Sequence, residues 1–148
     1  LVDKVSRNLG DIGNRLGEFV EEMIKPAAVR LFQERGIAVH EVHRDVTTKR
    51  NGEAIEIDLL VVNDTDIVAI ECKSQYSLEK VDRHIERMSK VRRLFPNYAS
   101  MNIYGAIAGM VITDEVARHA AENGLFVLMQ NGEQISLFNT EPFSPKSW

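Results

Sequence analysis

Residues 54–73 decide the fold, and they read AIEIDLLVVNDTDIVAIECK. Two apolar runs, residues 54–62 and 67–73, have the length and the isoleucine and valine content of strands. The link between them, residues 63–66, consists of turn-forming Asn, Asp and Thr, and so short a link predicts an antiparallel hairpin. We therefore expect two strands that lie side by side.

Charged side chains interrupt both runs. Because side chains alternate along a strand, Asp58 is expected on the face that carries Leu60 and opposite to Ile57. In the second run, Glu71 and Lys73 are expected to share one face. The hairpin would then allow Asp58 and Glu71 to meet.

Two acids and a lysine at strand ends predict a divalent metal site, because buried charges are costly unless they pair or bind an ion. Mg²⁺, or Mn²⁺, suits such a site, since Mg²⁺ takes a few carboxylates and keeps several of its waters. Lys73 would orient or deprotonate a water, or stabilise charge that develops on a phosphate. The alternative is a simple ion pair between Glu71 and Lys73 on the same face, and the two strands alone do not decide between these interpretations.

Composition limits the classes of function. The chain has 148 residues, of which 44% are hydrophobic, and this suits one domain. A formal net charge of −4 gives no general attraction to nucleic acid, so a polyanion would have to be held by a local patch or by a metal. The single cysteine, Cys72, excludes an internal disulfide and fits a reducing, cytoplasmic location. The sequence has neither a signal pattern nor a long apolar segment, so no membrane partner is expected.

Periodicity and turn residues predict the remaining elements. An amphipathic helix should run from Leu16 to just before Gly36, with a kink or a break at Pro26. Asn51-Gly52 is a hairpin signal, and Thr113 has the character of a helix N-cap. We further expect helices over residues 78–95 and 113–124, and strands over residues 37–46, 104–112, 126–130 and 134–138.

Three segments follow from this reading. Residues 1–13, which include two glycines, are expected to be a partly helical lead-in and the end of an upstream region of a longer protein. Residues 14–140 are expected to form a single domain. Residues 141–148, with two prolines, are expected to be a loose tail.

The order of elements and the charged motifs together resemble the PD-(D/E)XK, or restriction-endonuclease-like, nuclease superfamily. The resemblance covers roughly residues 14–130. Within the superfamily, the wider pattern is similar to an uncharacterised bacterial group of domain-of-unknown-function type that is common in cyanobacteria. The motifs that carry the resemblance are Leu16-Gly17, Val20-Glu21, Pro26, Glu56-Ile57-Asp58, Glu71-Cys72-Lys73-Ser74 and residues 104–109, YGAIAG.

The resemblance implies an α/β chain with an α+β mixed sheet: a restriction-endonuclease-like αβββαβ core in which helices flank a central mixed sheet. Residues 14–140 would then be a nuclease-like domain. It implies a metal-dependent phosphodiesterase with Asp58 and Glu71 as metal ligands and Lys73 as the catalytic lysine. The chain departs from the superfamily motif in having no proline before Asp58.

The resemblance also implies a catalytic acid on the first helix. At about 100° per residue, the apolar stripe centres near Ala27, which places Glu21 on its flank and Glu18 almost opposite. Glu21 is therefore expected to approach Asp58 and Glu71, and Glu18 to face solvent. A solvated pair between Glu21 and Lys25 is the alternative.

The second predicted helix carries a basic stripe of Arg83, Arg87 and Lys90. Acidic residues precede Arg83 and Lys90 by four positions, so we favour a solvated, salt-bridged face over phosphate contacts. Arg92 and Arg93 at the end of this helix, and Lys49-Arg50 at the hairpin tip, lack such partners in the sequence and are better candidates for DNA contacts. His84 is expected to have a surface or packing role.

Three functions remain open. The first is a metal-dependent nuclease in which Glu21, Asp58, Glu71 and Lys73 form the site and the partner is a nucleic acid, with DNA favoured over RNA. The second is a non-catalytic module that keeps a nuclease fold for DNA binding or protein assembly. The third is an oligomeric scaffold. A homodimer is compatible with each of them.

Overall fold

The computed structural model describes the backbone of residues 2–148 and the side chains of residues 16–148. The order of the first seven elements, apart from one short 3₁₀ turn, is αβββαβ, as expected. The elements are α1 (Val2–Glu34), β1 (Glu41–Arg50), β2 (Glu53–Val62), β3 (Asp66–Gln75), α2 (Leu78–Leu94), a 3₁₀ turn (Pro96–Tyr98), β4 (Asn102–Val111), α3 (Asp114–Glu122), β5 (Phe126–Asn131) and β6 (Gln134–Leu137).

All six strands form one mixed sheet in the order β1-β2-β3-β4-β5-β6. The first three strands are antiparallel neighbours, β3, β4 and β5 are parallel, and β6 pairs antiparallel with β5. A connection between parallel strands has to run back along the length of the sheet, which a tight turn cannot do. Each of the two parallel connections therefore contains a helix, α2 or α3. The predicted class, an α+β fold with helices flanking a mixed sheet, is confirmed.

The sheet separates two hydrophobic cores. On one face, α1 contributes Val20, Ile24 and Phe32, all fully buried, against residues such as Ile70. On the other face, the core contains residues of α2 and α3, together with Leu60 and other sheet residues. Both faces of β3 and β4 are therefore covered, which explains why their sequences are almost continuously apolar.

Local signals in the sequence formed as predicted. The hydroxyl of Thr113 accepts a hydrogen bond from the backbone N of Val116 and caps α3. Asn51 and Gly52 have φ angles of 52° and 81°, which are the left-handed conformations that a tight hairpin turn requires.

Pro26 does not divide the first helix, since α1 continues through it. Proline removes one backbone donor, but buried residues of α1 on both sides of it, including Ile24 and Ala28, hold the helix on the sheet. The predicted lead-in also lies within α1, apart from Leu1, which is outside the described residues. In addition, β1 is displaced toward the hairpin turn relative to the predicted strand over residues 37–46.

Residues 141–148 have no helix or strand, but hydrogen bonds attach them to the domain. The backbone N of Lys146 donates to Gly124 O at 3.1 Å, and that of Trp148 donates to Ile103 O at 2.8 Å. Arg92 Nε donates to Trp148 O at 2.9 Å. Within the described part of the chain, no helix is long and apolar enough to cross a membrane.

Candidate functional site

The β1–β2 hairpin changes face in its middle, and this change positions the site. In β2, Ile57 and Leu60 both pack in the core on the α2 side, so the alternation slips by one residue between them. In β1, Val42 packs on the α1 side, whereas Val46 packs on the α2 side. Asp45 precedes Val46 and has a φ of 51°, a left-handed conformation that aspartate tolerates better than most residues.

The slip places Asp58 on the α1 side of the sheet, opposite to Ile57 as expected. The prediction that Asp58 shares a face with Leu60 is wrong, because strict alternation does not survive the irregularity at Asp45 and Asp58. Asp45 and Asp58 interrupt the pairing of β1 with β2. Pairing is present on both sides of them, at Arg44 with Leu59 and at Val46 with Ile57.

A side-chain hydrogen bond anchors Asp58. The pairing of β2 with β3 ends at Leu59 and Ile70, immediately before Asp58 and Glu71 would face each other. There, the backbone N of Cys72 donates to Asp58 Oδ2 at 2.8 Å. The carboxylate thus supplies the acceptor that the missing strand pair would have supplied, and it is fixed where the two strands separate.

Three carboxylates converge at this point. One oxygen each of Glu21, Asp45 and Asp58 lies within 4.8 Å of the others. Glu21 is buried, Asp58 is half-buried and Asp45 is exposed. Glu18 is exposed and is not a member of this group, although it lines the same cleft. The structure therefore brings Glu21 and Asp58 together.

Sequence reasoning missed Asp45. The signal was an aspartate in the interior of a predicted strand, where aspartate is uncommon and where it marks an irregular conformation. Its approach to Asp58 depends on the face change, which period-two alternation does not predict.

The electrostatics of this group are unfavourable without a counter-charge. Burial raises the pKa of Glu21, and the negative charges of Asp45 and Asp58 raise it further, while a hydrogen bond from Arg44 opposes them. Arg44 Nη2 donates to Glu21 Oε2 at 3.0 Å, and the same guanidinium also contacts Glu22. Burial likewise raises the pKa of Asp58, against the hydrogen bond from Cys72, and the charge of Glu71 adds to the rise.

Glu71 faces the other side of the sheet and lies outside the carboxylate group. Its Oε2 accepts a hydrogen bond from Arg87 of α2 and lies 3.4 Å from His84 Nδ1. Burial alone would raise the pKa of Glu71, but the hydrogen bonds and charges of His84 and Arg87 outweigh burial and lower the pKa to about 2. His84 is fully buried and donates from Nε2 to Ala69 O at 3.1 Å, so it has a packing and bonding role.

Lys73 lies between the two groups. Its Nζ is 3.9 Å from Glu71 Oε1, so the same-face ion pair is present. Lys73 also lines an open cleft of about 480 Å³ together with all three converging carboxylates. Its side chain is 46% exposed, which leaves the ammonium accessible to a ligand in that cleft.

The other basic residues differ from expectation. Arg83 and Lys90 do pair with the acids four positions before them, but Arg87 bonds to buried Glu71 and is not part of a solvated face. Arg93 pairs with Glu53, and Arg92 donates to backbone carbonyls. The expectation that Arg93 lacks an acidic partner is wrong, because Glu53 is 40 positions away in sequence. The described bonds of Arg92 go to backbone carbonyls and not to an acid.

No protein-family model matches the chain, and no curated protein matches it in sequence. A crystal structure of a protein of unknown function, AF1548, is similar with a TM-score of 0.46 and 18% identity, over 70% of this chain and 54% of that chain. The small subunit (R.BspD6I2) of the heterodimeric restriction endonuclease R.BspD6I is similar with a TM-score of 0.41 and 17% identity, over 78% of this chain and 72% of that chain. The aligned part thus spans about half the length of the first of these proteins.

Proposed function

We propose that this protein is a metal-dependent nuclease that hydrolyses phosphodiester bonds with the help of Mg²⁺ or Mn²⁺. The observation that carries the proposal is the convergence of Glu21, Asp45 and Asp58 beside Lys73 in one open cleft. The proposal includes membership of the PD-(D/E)XK superfamily and of the bacterial group named above. DNA is the proposed substrate, and the cytoplasm is the proposed location.

The donor set fits a hard divalent cation. Carboxylate oxygens are the ligands that Mg²⁺ and Mn²⁺ prefer, and three of them already lie within 4.8 Å of one another. Arg44 bonds one oxygen of Glu21, and the backbone N of Cys72 bonds one oxygen of Asp58. Each of the two carboxylates therefore has a second oxygen for a cation. A bound cation would offset their mutual repulsion and would polarise a phosphate or a water.

Residues of the chain account for the other parts of the reaction. Arg44 and the backbone of Cys72 hold Glu21 and Asp58 in place before any ligand binds. The ammonium of Lys73 would orient the attacking water and stabilise the negative charge that develops around phosphorus. The oxygen of that water would form a bond to phosphorus as the bond to the leaving sugar oxygen breaks. The proton that the water loses would pass to solvent, and solvent would supply the proton that the leaving sugar oxygen takes up.

Replacement of Lys73 separates catalysis from metal binding. Lys73→Ala should leave Mn²⁺ affinity within about threefold of wild type but remove cleavage, because the lysine acts on water and developing charge. Lys73→Arg should not restore cleavage, since the planar fork of a guanidinium directs its charge differently from the compact ammonium. Cleavage of plasmid, duplex and single-stranded DNA with Mg²⁺ or Mn²⁺ measures activity, and calorimetry measures metal binding.

Glu18→Gln is the matched control for these assays, because Glu18 lines the cleft without joining the carboxylate group. Full activity in either Lys73 variant would move the chemistry to other residues. Cation binding by the wild type without cleavage of DNA or RNA would contradict the nuclease proposal.

The charge of the cleft favours a second candidate, a non-catalytic module. Besides Lys73, the charged residues that line the cleft are all acidic: Glu18, Glu21, Asp45, Glu56 and Asp58. Such a surface repels DNA unless a cation is present and would suit a basic protein partner. Binding of a basic partner that is independent of Mg²⁺, with no cleavage under any condition, would favour this candidate. A homodimer is compatible with both functions.

A further inference from the structure

A fourth carboxylate, that of Glu71, is bound by Arg87. The buried side chain of Glu71 is held by the guanidinium of Arg87 and approached by His84, on the face of the sheet opposite to α1. The β2–β3 register that ends at Leu59 and Ile70 would next set Asp58 opposite Glu71. The Nζ of Lys73, which lines the cleft, lies 3.9 Å from Glu71 Oε1. Glu71 is therefore close to the carboxylate group but is bound to a different partner.

The strands at this point are not locked together. Pairing between β2 and β3 ends at Leu59 and Ile70, so no strand hydrogen bond fixes Asp58 against Glu71. The only described bond across the gap is that from the backbone N of Cys72 to Asp58. Rotation of the Glu71 side chain toward the cleft would therefore break its bonds to α2 without breaking the sheet.

Arg87 is the group that opposes such a rotation. Its side chain is 27% exposed, whereas that of Glu71 is 6% exposed, so the guanidinium retains access to water after release but the carboxylate does not. Lys73, whose Nζ is 3.9 Å from Glu71 Oε1, would remain as a positive partner. A divalent cation among Glu21, Asp45 and Asp58 would replace the charge that Arg87 had supplied.

We propose that Arg87 is a positioning residue that withholds Glu71 from the metal donor group, and that a bound divalent cation takes Glu71 from Arg87. The donor set then has two arrangements, three carboxylates while Arg87 holds Glu71 and four after its release. This inference rests on the proposed metal site and adds a built-in control of its affinity.

Calorimetric titration with Mn²⁺ tests the exchange. Arg87→Met should bind Mn²⁺ about tenfold more tightly than wild type, because no ion pair has to be broken to recruit Glu71. Glu71→Gln should bind more weakly than wild type. In the Glu71→Gln background, Arg87→Met should have no further effect. Arg83→Met is the matched control, since Arg83 is an exposed arginine one turn earlier that pairs with Glu79, and it should leave the affinity unchanged.

The outcomes separate this inference from the proposed function. If wild type binds Mn²⁺, Asp58→Asn does not, and Arg87→Met binds no more tightly than wild type, the exchange is excluded and the metal site stands. An equal gain in the Glu71→Gln background would attribute the effect to removal of a positive charge and would also exclude the exchange. If wild type binds no cation, both ideas fail. Circular dichroism checks folding, and Arg87→Gln replaces Arg87→Met if the latter does not fold.

Discussion

At the scale of single residues, Asp58 combines an anchoring bond with an unfavourable charge. Its Oδ2 accepts from Cys72 N, yet burial and the charge of Glu71 raise its pKa. A carboxylate whose pKa is raised by folding costs stability at every pH above that pKa. An uncharged side chain of the same shape would keep the bond and remove the cost.

Asp58→Asn should therefore stabilise the metal-free protein at pH 7 by about 1 kcal/mol, or roughly 2–4 °C in melting temperature. The difference should shrink as the pH falls through the pKa of Asp58, because the wild-type carboxyl then becomes neutral as well. Millimolar Mg²⁺ should raise the melting temperature of wild type and leave that of Asp58→Asn unchanged. Scanning calorimetry at several pH values measures both effects, and an equal response of the two proteins to Mg²⁺ would contradict the metal site.

Glu71 affects the pH dependence of folding stability in the opposite direction to Asp58. Folding lowers its pKa from 4.5 to about 2, so its ionised form stabilises the folded protein fully above pH 4.5. That contribution should be lost progressively as the pH falls from about 4.5 to about 2. Urea unfolding between pH 7 and pH 2 should show wild type losing more stability than Glu71→Gln. Parallel curves for the two proteins would show that Arg87 does not hold an ionised Glu71.

At the scale of elements, α1 supplies one carboxylate from its buried flank. Glu21 is 7% exposed, whereas Glu18, almost one turn earlier, faces solvent. Glu21→Gln should weaken Mn²⁺ binding by roughly tenfold or more, because a donor oxygen loses its charge. Glu18→Gln should change the affinity by less than about twofold, as expected for an exposed, screened charge. Calorimetry compares the two variants, and a larger effect of Glu18→Gln would exchange their roles.

The β1–β2 hairpin owes its change of face to one backbone conformation. Asp45→Val should destabilise the fold by roughly 1–2 kcal/mol, because a β-branched residue is strained at a φ of 51°. Asp45→Asn should be nearly neutral for stability, since asparagine also accepts this conformation, and should still weaken Mn²⁺ binding. Lys49→Val, which introduces a β-branched residue at an exposed position of the same strand, is the control for β-branching. An equal loss of stability in Asp45→Val and Lys49→Val, measured in urea, would show that the conformation of Asp45 does not control the hairpin.

At the scale of the whole molecule, the elements that could be predicted are those set by neighbours in sequence. The turn at Asn51-Gly52, the cap at Thr113 and the apolar runs of β2 and β3 depend on a few adjacent residues, and the structure has them in the predicted order. The αβββαβ arrangement then follows from short links and helical crossovers.

The parts of the site that could not be predicted depend on contacts between distant residues. The left-handed Asp45 shifts the alternation of two strands together, and no single run of sequence reports that shift. Arg87 and Glu71 are 16 positions apart, and their contact depends on how α2 crosses the sheet. Glu21 could be chosen over Glu18 as a neighbour of the site because burial of α1 repeats with the helical period.

The carboxylate group is formed by residues of two separate parts of the fold, the helix α1 and the β1–β2 hairpin. Glu21 enters it only while α1 is docked on the sheet, whereas Asp45 and Asp58 belong to one local hairpin. A ligand that holds all three favours the docked state by mass action, so it suppresses partial openings in which α1 detaches and the sheet remains. The cation should therefore slow the exchange of the amide hydrogens of α1 with solvent. It should slow the exchange of those of β4 and β5, which lie away from the group, to a smaller extent.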